Sequence, residues 1–320
     1  MKTVILTSDA GFDHRVPPPH IETPARLRGV LDAMADTPAL SDLKRIQARP
    51  ATREEVGRMH TPAHLDAVFN GEPASHEAFH GFDFDTYMCR GSLNAALRGA
   101  GAAVQAVDMI MAGEAEAAFC ATRPPGHHAE RNRPMGFCLF NNIGVAAMHA
   151  LDHYGLSRVT IIDIDVHHGN GSQDLAESEP RVMFASIHES PLYPGTGMED
   201  ETGLNGNVVN VTVAAGCGGD AWLARLETDL LPRVEAFAPE FVFVSAGFDG
   251  HRADPLGGLL LDEGDYIRAA ERLCDLARKS ASSRLVCCLE GGYDIGALGR
   301  SAAAFTETLS RGQGSHSAVL

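Results

Sequence analysis

The 320 residues carry 26 Lys and Arg against 42 Asp and Glu, a formal net charge of -16, and 44% of them are apolar. That length and apolar share suit one large α/β domain or two small ones with a substantial buried core. The acidic balance argues against nucleic acid as the partner, and no run reaches the roughly 18 apolar residues that cross a membrane.

The opening MKTVILTSDAG has one Lys and too short an apolar run for a signal peptide, so a soluble cytoplasmic protein is expected. Seven cysteines without CxxC spacing read as buried thiols in a reducing compartment rather than as a disulfide framework. The 33 glycines follow no repeat.

Short apolar runs predict strands over 3–6, 117–121, 159–164, 182–187, 208–213, 241–245 and 285–289. Between them, helical periodicity covers 92–111, 142–153, 220–235, 263–279 and 297–309. Shorter helices are predicted over 24–34 and 63–69, within an otherwise loop-rich segment, 8–91. Several strands are continuously apolar, the pattern of a parallel sheet covered by helices on both faces. No Pro-, Ser- or charge-rich linker interrupts this pattern. The prediction is a single three-layer α/β domain over 1–311, with a mainly parallel sheet and a frayed tail at 312–320.

Polar residues gather at strand ends. RPPGHH follows the strand ending at Ala121, DIDVHH begins inside the one around Ile162, and SIH, GFD and EGGY end three more. Ligands of an open parallel sheet bind beyond the carboxyl ends of its strands, so one site is expected there. Asp163, Asp165 and His167 alternate with Ile164 and Val166, and in an extended strand alternate residues share a face. Two carboxylates in an apolar run need partners, and a metal supplies one. Asp and His together suit zinc, while an all-oxygen set would suit magnesium or calcium. Asp249 is the natural third ligand, leaving an open catalytic position.

His127 and His128 follow a stiff Arg-Pro-Pro-Gly turn and suit general acid–base work better than shared ligation. Asp163 and Asn170 are candidates to orient their second ring nitrogens. Tyr293, after two glycines, is able to donate to a developing oxyanion. Ser186 and Ile187 end the strand after the metal strand. Together with Asp163 they suit either an alkali ion or ordinary backbone hydrogen bonding, and the sequence does not choose.

The stretches RPPGHHAERNRPMGFCLFNNIGVAA (123–147), DIDVHHGNGSQ (163–173), LYPGTG (192–197), SAGFDGHRADPLGG (245–258) and LEGGYD (289–294) together resemble the zinc-dependent histone deacetylase family. The resemblance is closest to its class II branch, bacterial members and acetylpolyamine amidohydrolases included. His20, Glu22, Pro24 and Arg26 resemble the family's opening HPExPxR segment, so the likeness spans nearly the whole chain. It implies an arginase/deacetylase-like fold and hydrolysis of acyl groups from the side-chain amine of lysine in peptides or proteins, releasing acetate.

Carried over, the resemblance makes Asp165, His167 and Asp249 the zinc ligands and His128 the main general base and acid. His127 becomes chiefly electrostatic. Asp163 and Asn170 would orient the two histidines and Tyr293 would polarise the substrate carbonyl. It also implies potassium at Asp163 and Ser186, with backbone carbonyls of Asp165, His167 and Ile187. Gly136, Phe137 and Tyr193 would line an acyl-lysine channel. Where polyamine-selective relatives place a glutamate this chain has Leu256, and where some members place a rim aspartate the alignment puts Asn94.

Three other readings stay in play. One is deacetylation of acylated small amines such as acetylpolyamines. A second is a non-catalytic module that binds acetyl-lysine or metal, and a third is a binuclear, arginase-like manganese enzyme. The sequence leaves homo-oligomer formation open.

Overall fold

The computed structural model describes residues 1–311; the tail expected at 312–320 lies outside the described residues. Ten strands form: β1 (Thr3–Thr7), β2 (Lys44–Gln47), β3 (His80–Gly81), β4 (Tyr87–Met88), β5 (Ala117–Ala121), β6 (Val159–Asp163), β7 (Val182–Glu189), β8 (Val208–Val213), β9 (Val242–Ala246) and β10 (Leu285–Leu289). Eight of them make one sheet in the order β2-β1-β5-β10-β9-β6-β7-β8, with every pairing parallel. β3 and β4 form a separate antiparallel hairpin.

The helices are α1 (Pro24–Ala35), α2 (Arg53–Gly57), α3 (Pro62–Gly71), α4 (Ser92–Met111), α5 (Asn142–Asp152), α6 (Asn170–Ser178), α7 (Gly219–Arg225), α8 (Leu231–Phe237), α9 (Glu263–Ser280) and α10 (Ile295–Arg311). Their starts carry legible signals. Pro24 and Pro62 occupy first-turn positions that need no N–H, and Thr52 with Glu55 and Asp262 with Asp265 close capping boxes.

Side chains alternate across the sheet, so each strand feeds two cores. Ala117, Phe119 and Ala121 of β5 pack with α1, α9 and α10, while Ala118 and Cys120 pack with α4 and α5. The three-layer architecture expected from the continuously apolar strands is present. Among the described residues no helix is long and apolar enough to cross a membrane. Six of the seven cysteines are buried, Cys217 is partly buried, and all are free thiols.

Several details differ from the sequence expectations. β6 ends at Asp163, and residues 164–169 turn away from the strand, so Asp165 and His167 do not continue its pleat. The expected helix over 220–235 is interrupted by a π turn at Leu226–Leu230, beside Pro232, which has no N–H for a regular turn. Among the elements without readable periodicity are edge strand β2, nearly all exposed, and α6, whose first turn is polar and small. Asn170 is therefore the first residue of a helix.

Candidate active site

The sheet order brings together strand ends that are far apart in sequence. β5, β10, β9 and β6 are consecutive neighbours, and their carboxyl ends lead directly into His127–His128, Tyr293, Asp249 and Asp165–His167.

Asp165, His167 and Asp249 are buried, and one ligand atom from each lies within 4.8 Å of the others. His167 Nδ1 stands 3.1 Å from Asp165 Oδ1 and 3.2 Å from Asp249 Oδ2. The carboxylates are aimed by the backbone: Gly291 N–H donates to Asp165 Oδ2 at 2.8 Å and Val166 N–H to Asp249 Oδ1 at 3.0 Å. Gly291 approaches so closely that a Cβ there would fall 1.9 Å from Asp249 Oδ2. Burial acts to lower the His167 pKa, yet hydrogen bonds and charge from Asp165 and Asp249 carry it up to about 10. Two buried carboxylates around one imidazole draw positive charge strongly, and their mixed oxygen–nitrogen character fits a zinc-type cation.

The adjacent histidines are set apart by their partners. His127 Nδ1 donates to Asp163 Oδ2 at 2.9 Å, and its Nε2 lies 3.9 Å from Asp165 Oδ2. Burial opposes its charge, but the Asp163 and Asp165 carboxylates outweigh burial and hold its pKa well above the ordinary value. His128 Nδ1 bonds Asn170 Oδ1 at 2.8 Å. The amide orientation is fixed from the other side, where Asn170 Nδ2 donates to Glu130 Oε1 at 2.8 Å. Asn170 therefore presents an acceptor, His128 carries its proton on Nδ1, and Nε2 is left as a free base. Burial, then the charges of His127 and His167, push the His128 pKa well below normal. One histidine is held charged and its neighbour neutral.

Of these groups His128 and His167 face a cavity of about 240 Å³. His128, His167 and Tyr293 form its inner end, and Gly136, Phe137, Tyr193 and Leu256 its walls. Tyr193 meets the His128 ring edge-on at 5.1 Å, and Phe137 meets Tyr293 at 5.9 Å. Phe137 reaches the wall from a left-handed backbone, φ 69°, with its N–H held by the Thr86 hydroxyl at 3.1 Å. Tyr293 lies under Arg26, whose guanidinium carbon is 4.6 Å from the ring centroid. Arg26 is itself locked by Glu22 and by the carbonyls of Glu290 and Gly292.

Asn94 is not among the residues lining this cavity. It is exposed on α4, accepting from Arg98 at 3.1 Å, because the helical register turns it to solvent. Asp85, Phe84 and Leu192 line the outer part instead, and Phe84 is 77% exposed. Nothing in the periodicity of 80–88 announced this hairpin; its one signal is an acid flanked by aromatics in GFDFDTY. Glu290, which accepts the N–H groups of Gly126 and His127, was equally silent.

Ser186 and Ile187 are fully buried but do not end their strand as expected, because β7 stays paired to β8 as far as Glu189. His188 Nε2 donates to the Gly197 carbonyl at 2.9 Å, so its Nδ1 accepts the Ser186 hydroxyl proton, also at 2.9 Å. Among the described hydrogen bonds none is donated to Ser186 Oγ.

Comparison with known proteins agrees with this geometry. A family model described as the histone deacetylase domain matches residues 20–309. The chain is 37% identical over 316 residues to histone deacetylase 15 of Arabidopsis thaliana, covering 93% of this chain and 56% of that protein. It is 33% identical over 335 residues to type-2 histone deacetylase 2 of Dictyostelium discoideum, covering 92% of this chain and 20% of that one. The chain thus spans about half, or a fifth, of the length of these two relatives. The crystal structure of the HDA15 HD domain is similar with a TM-score of 0.88 at 35% identity, covering 96% of this chain and 90% of that one. With the family model spanning residues 20–309 and the fold and nearly the whole length matched, the chain belongs to the histone deacetylase family.

Proposed function

We propose that this chain hydrolyses the amide of acylated lysine side chains in peptides or proteins, using a zinc ion held by Asp165, His167 and Asp249. The observation that carries this reading is that a neutral, proton-accepting His128, Tyr293 and the ligand His167 line one apolar cavity, with Asp165 and Asp249 clustered around His167.

A bound zinc ion supplies an acidified water and a polarised substrate carbonyl. The apolar stem of the lysine lies between Phe137 and Tyr193, which bring its amide to the inner end. His128 Nε2 takes the proton of the attacking water as the new C–O bond forms. His127, held charged by Asp163, stabilises the negative charge that builds up. The Tyr293 hydroxyl donates to the carbonyl oxygen as that oxygen gains charge. His128 then gives its proton to the nitrogen as the C–N bond breaks, leaving acetate and a free amine. We assign an alkali cation, potassium, to Asp163, Ser186 and the carbonyls of Asp165, His167 and Ile187; that Ser186 Oγ accepts none of the described hydrogen bonds supports it.

Asp85 at the cavity mouth favours a second reading, an acylated small amine with a distal cation. Leu256 on the wall favours the peptide, because it offers such a cation nothing. The test measures acetate release from an acetyl-lysine peptide and from an acetylated polyamine, before and after chelation and zinc addition. No chelator-sensitive release from either would sink the hydrolase reading. A preference for the polyamine that survives added salt would move it to the second.

A further inference from the structure

Asp254, five residues beyond Asp249, is neither one of the cation ligands nor one of the residues lining the cavity, and it is buried at 8% exposure. Its carboxylate is spent on backbone. Oδ2 accepts the Tyr293 N–H at 2.6 Å and the Asp294 N–H at 3.3 Å, and Oδ1 accepts the Leu256 N–H at 3.0 Å. The first two donors immediately precede α10, a 17-residue helix whose dipole favours the carboxylate there, while burial and the charge of Asp249 raise its pKa to about 7 against these backbone bonds. Charge-assisted bonds to an anion are the shorter and stronger kind. The Arg26 guanidinium holds the ring of Tyr293, but among the described hydrogen bonds only Asp254 receives its backbone N–H. Tyr293 itself lines the cavity.

We propose that Asp254 is a positioning residue, which sets where the Tyr293 hydroxyl stands by clamping the backbone that carries it. This rests on the reading of Tyr293 as the donor to the substrate carbonyl. An anion can satisfy N–H groups with both oxygens. An amide presents N–H₂ on one side, where it faces another donor, either at Leu256 or at Tyr293 and Asp294. A displaced Tyr293 backbone carries the hydroxyl with it, and a shift of about 1 Å in a reacting group can cost about 10²-fold.

The experiment is a double-mutant cycle of Asp254→Asn with Tyr293→Phe, reading kcat on an acetyl-lysine peptide with metal content measured for each protein. Asp254→Asn alone is expected to keep its metal and lose about tenfold or more in kcat, up to the about 10²–10³ that removal of such a donor costs. In the Tyr293→Phe background the same change should cost less than about twofold, because the group it positions is gone. A Tyr293→Phe variant with wild-type kcat would remove the reading of Tyr293 itself. A slow Tyr293→Phe enzyme in which Asp254→Asn costs the same in both backgrounds, or nothing in either, would leave that reading intact and overturn the role of Asp254. Should Asp254→Asn fail to fold, Asp254→Glu, which keeps the charge but not the reach, replaces it in the same cycle. A loss confined to the background that retains the Tyr293 hydroxyl then supports the role, and an equal loss in both, or none, overturns it.

Discussion

Gly291→Ala tests the cation site without replacing a ligand. The Gly291 N–H bonds Asp165 Oδ2 at 2.8 Å, and a Cβ at this position would stand 1.9 Å from Asp249 Oδ2 and 2.6 Å from Asp165 Oδ2. Real Cβ atoms essentially never come within 3.0 Å of another heavy atom, so at least one carboxylate must move by about 1 Å. Neither can rotate freely, since Val166 N–H and His167 N–H hold them at 3.0 and 2.9 Å. Losing an outer partner of a ligand costs about 10–100-fold in metal affinity, and displacing the ligands themselves should cost at least the upper end of that range. The assay is competition for zinc against a chromophoric chelator, with thermal unfolding run in parallel. Gly218→Ala is the control, because a Cβ there meets nothing within 4 Å. A Gly291→Ala protein with the zinc affinity of the wild type would refute the assignment of Asp165 and Asp249 as the pair that holds the cation.

Tyr293→Phe should keep its metal and lose about 10²–10³ in kcat; a raised KM with normal kcat would make the phenol a binding group instead. Glu22→Gln should destabilise the fold by about 3–5 kcal/mol at neutral pH, measured by denaturant unfolding, because it strands buried Arg26 and Arg123. Burial alone would raise the Glu22 pKa, but Arg123, His14 and Arg26 hold it well below the ordinary 4.5. Its contribution is thus present above pH 4.5 and is lost as pH falls through the depressed folded value, so the gap between wild type and variant should narrow only in that acid range. A gap constant down to strongly acid pH would contradict this. Leu256→Glu should raise kcat/KM for acetylated polyamines relative to acetyl-lysine peptides by up to about fivefold, the worth of an exposed ion pair of about 1 kcal/mol. No change in that ratio at moderate salt would show that the wall beside Leu256 does not meet the distal cation.

Much of the site was legible because the chemistry lies next to the strongest local signals. Buried parallel strands read as apolar runs, and the residues that follow them stand at the one sheet edge where loops converge. Asp165, His167, Asp249, His128 and Tyr293 could be found that way. Their pairing could not. Whether Asp249 approaches Asp165 depends on β9 lying beside β6, and whether Tyr293 faces His128 depends on β10 lying beside β5, orders that no periodicity encodes. The expected strand through Ile164 shows the limit from the other side: alternation suggested a shared face, while a turn after Asp163 delivers Asp165 and His167.

The sequence by itself determined most of the elements, their layering and the candidate side chains at the strand ends, because hydrophobic period and strand-end polarity are local properties of the chain. Only the tertiary structure decided the protonation and aim of those side chains. His127 is held charged by Asp163, 36 residues away; His128 is kept neutral by burial and the charges of His127 and His167, and is aimed by Asn170, 42 residues away. Asp254 reaches Tyr293 across 39 residues, and the mouth belongs to Asp85 rather than Asn94 because one helical register points outward. Burial and neighbouring charge set a pKa and a hydrogen bond sets an aim, and both come from groups that only folding brings within a few ångströms.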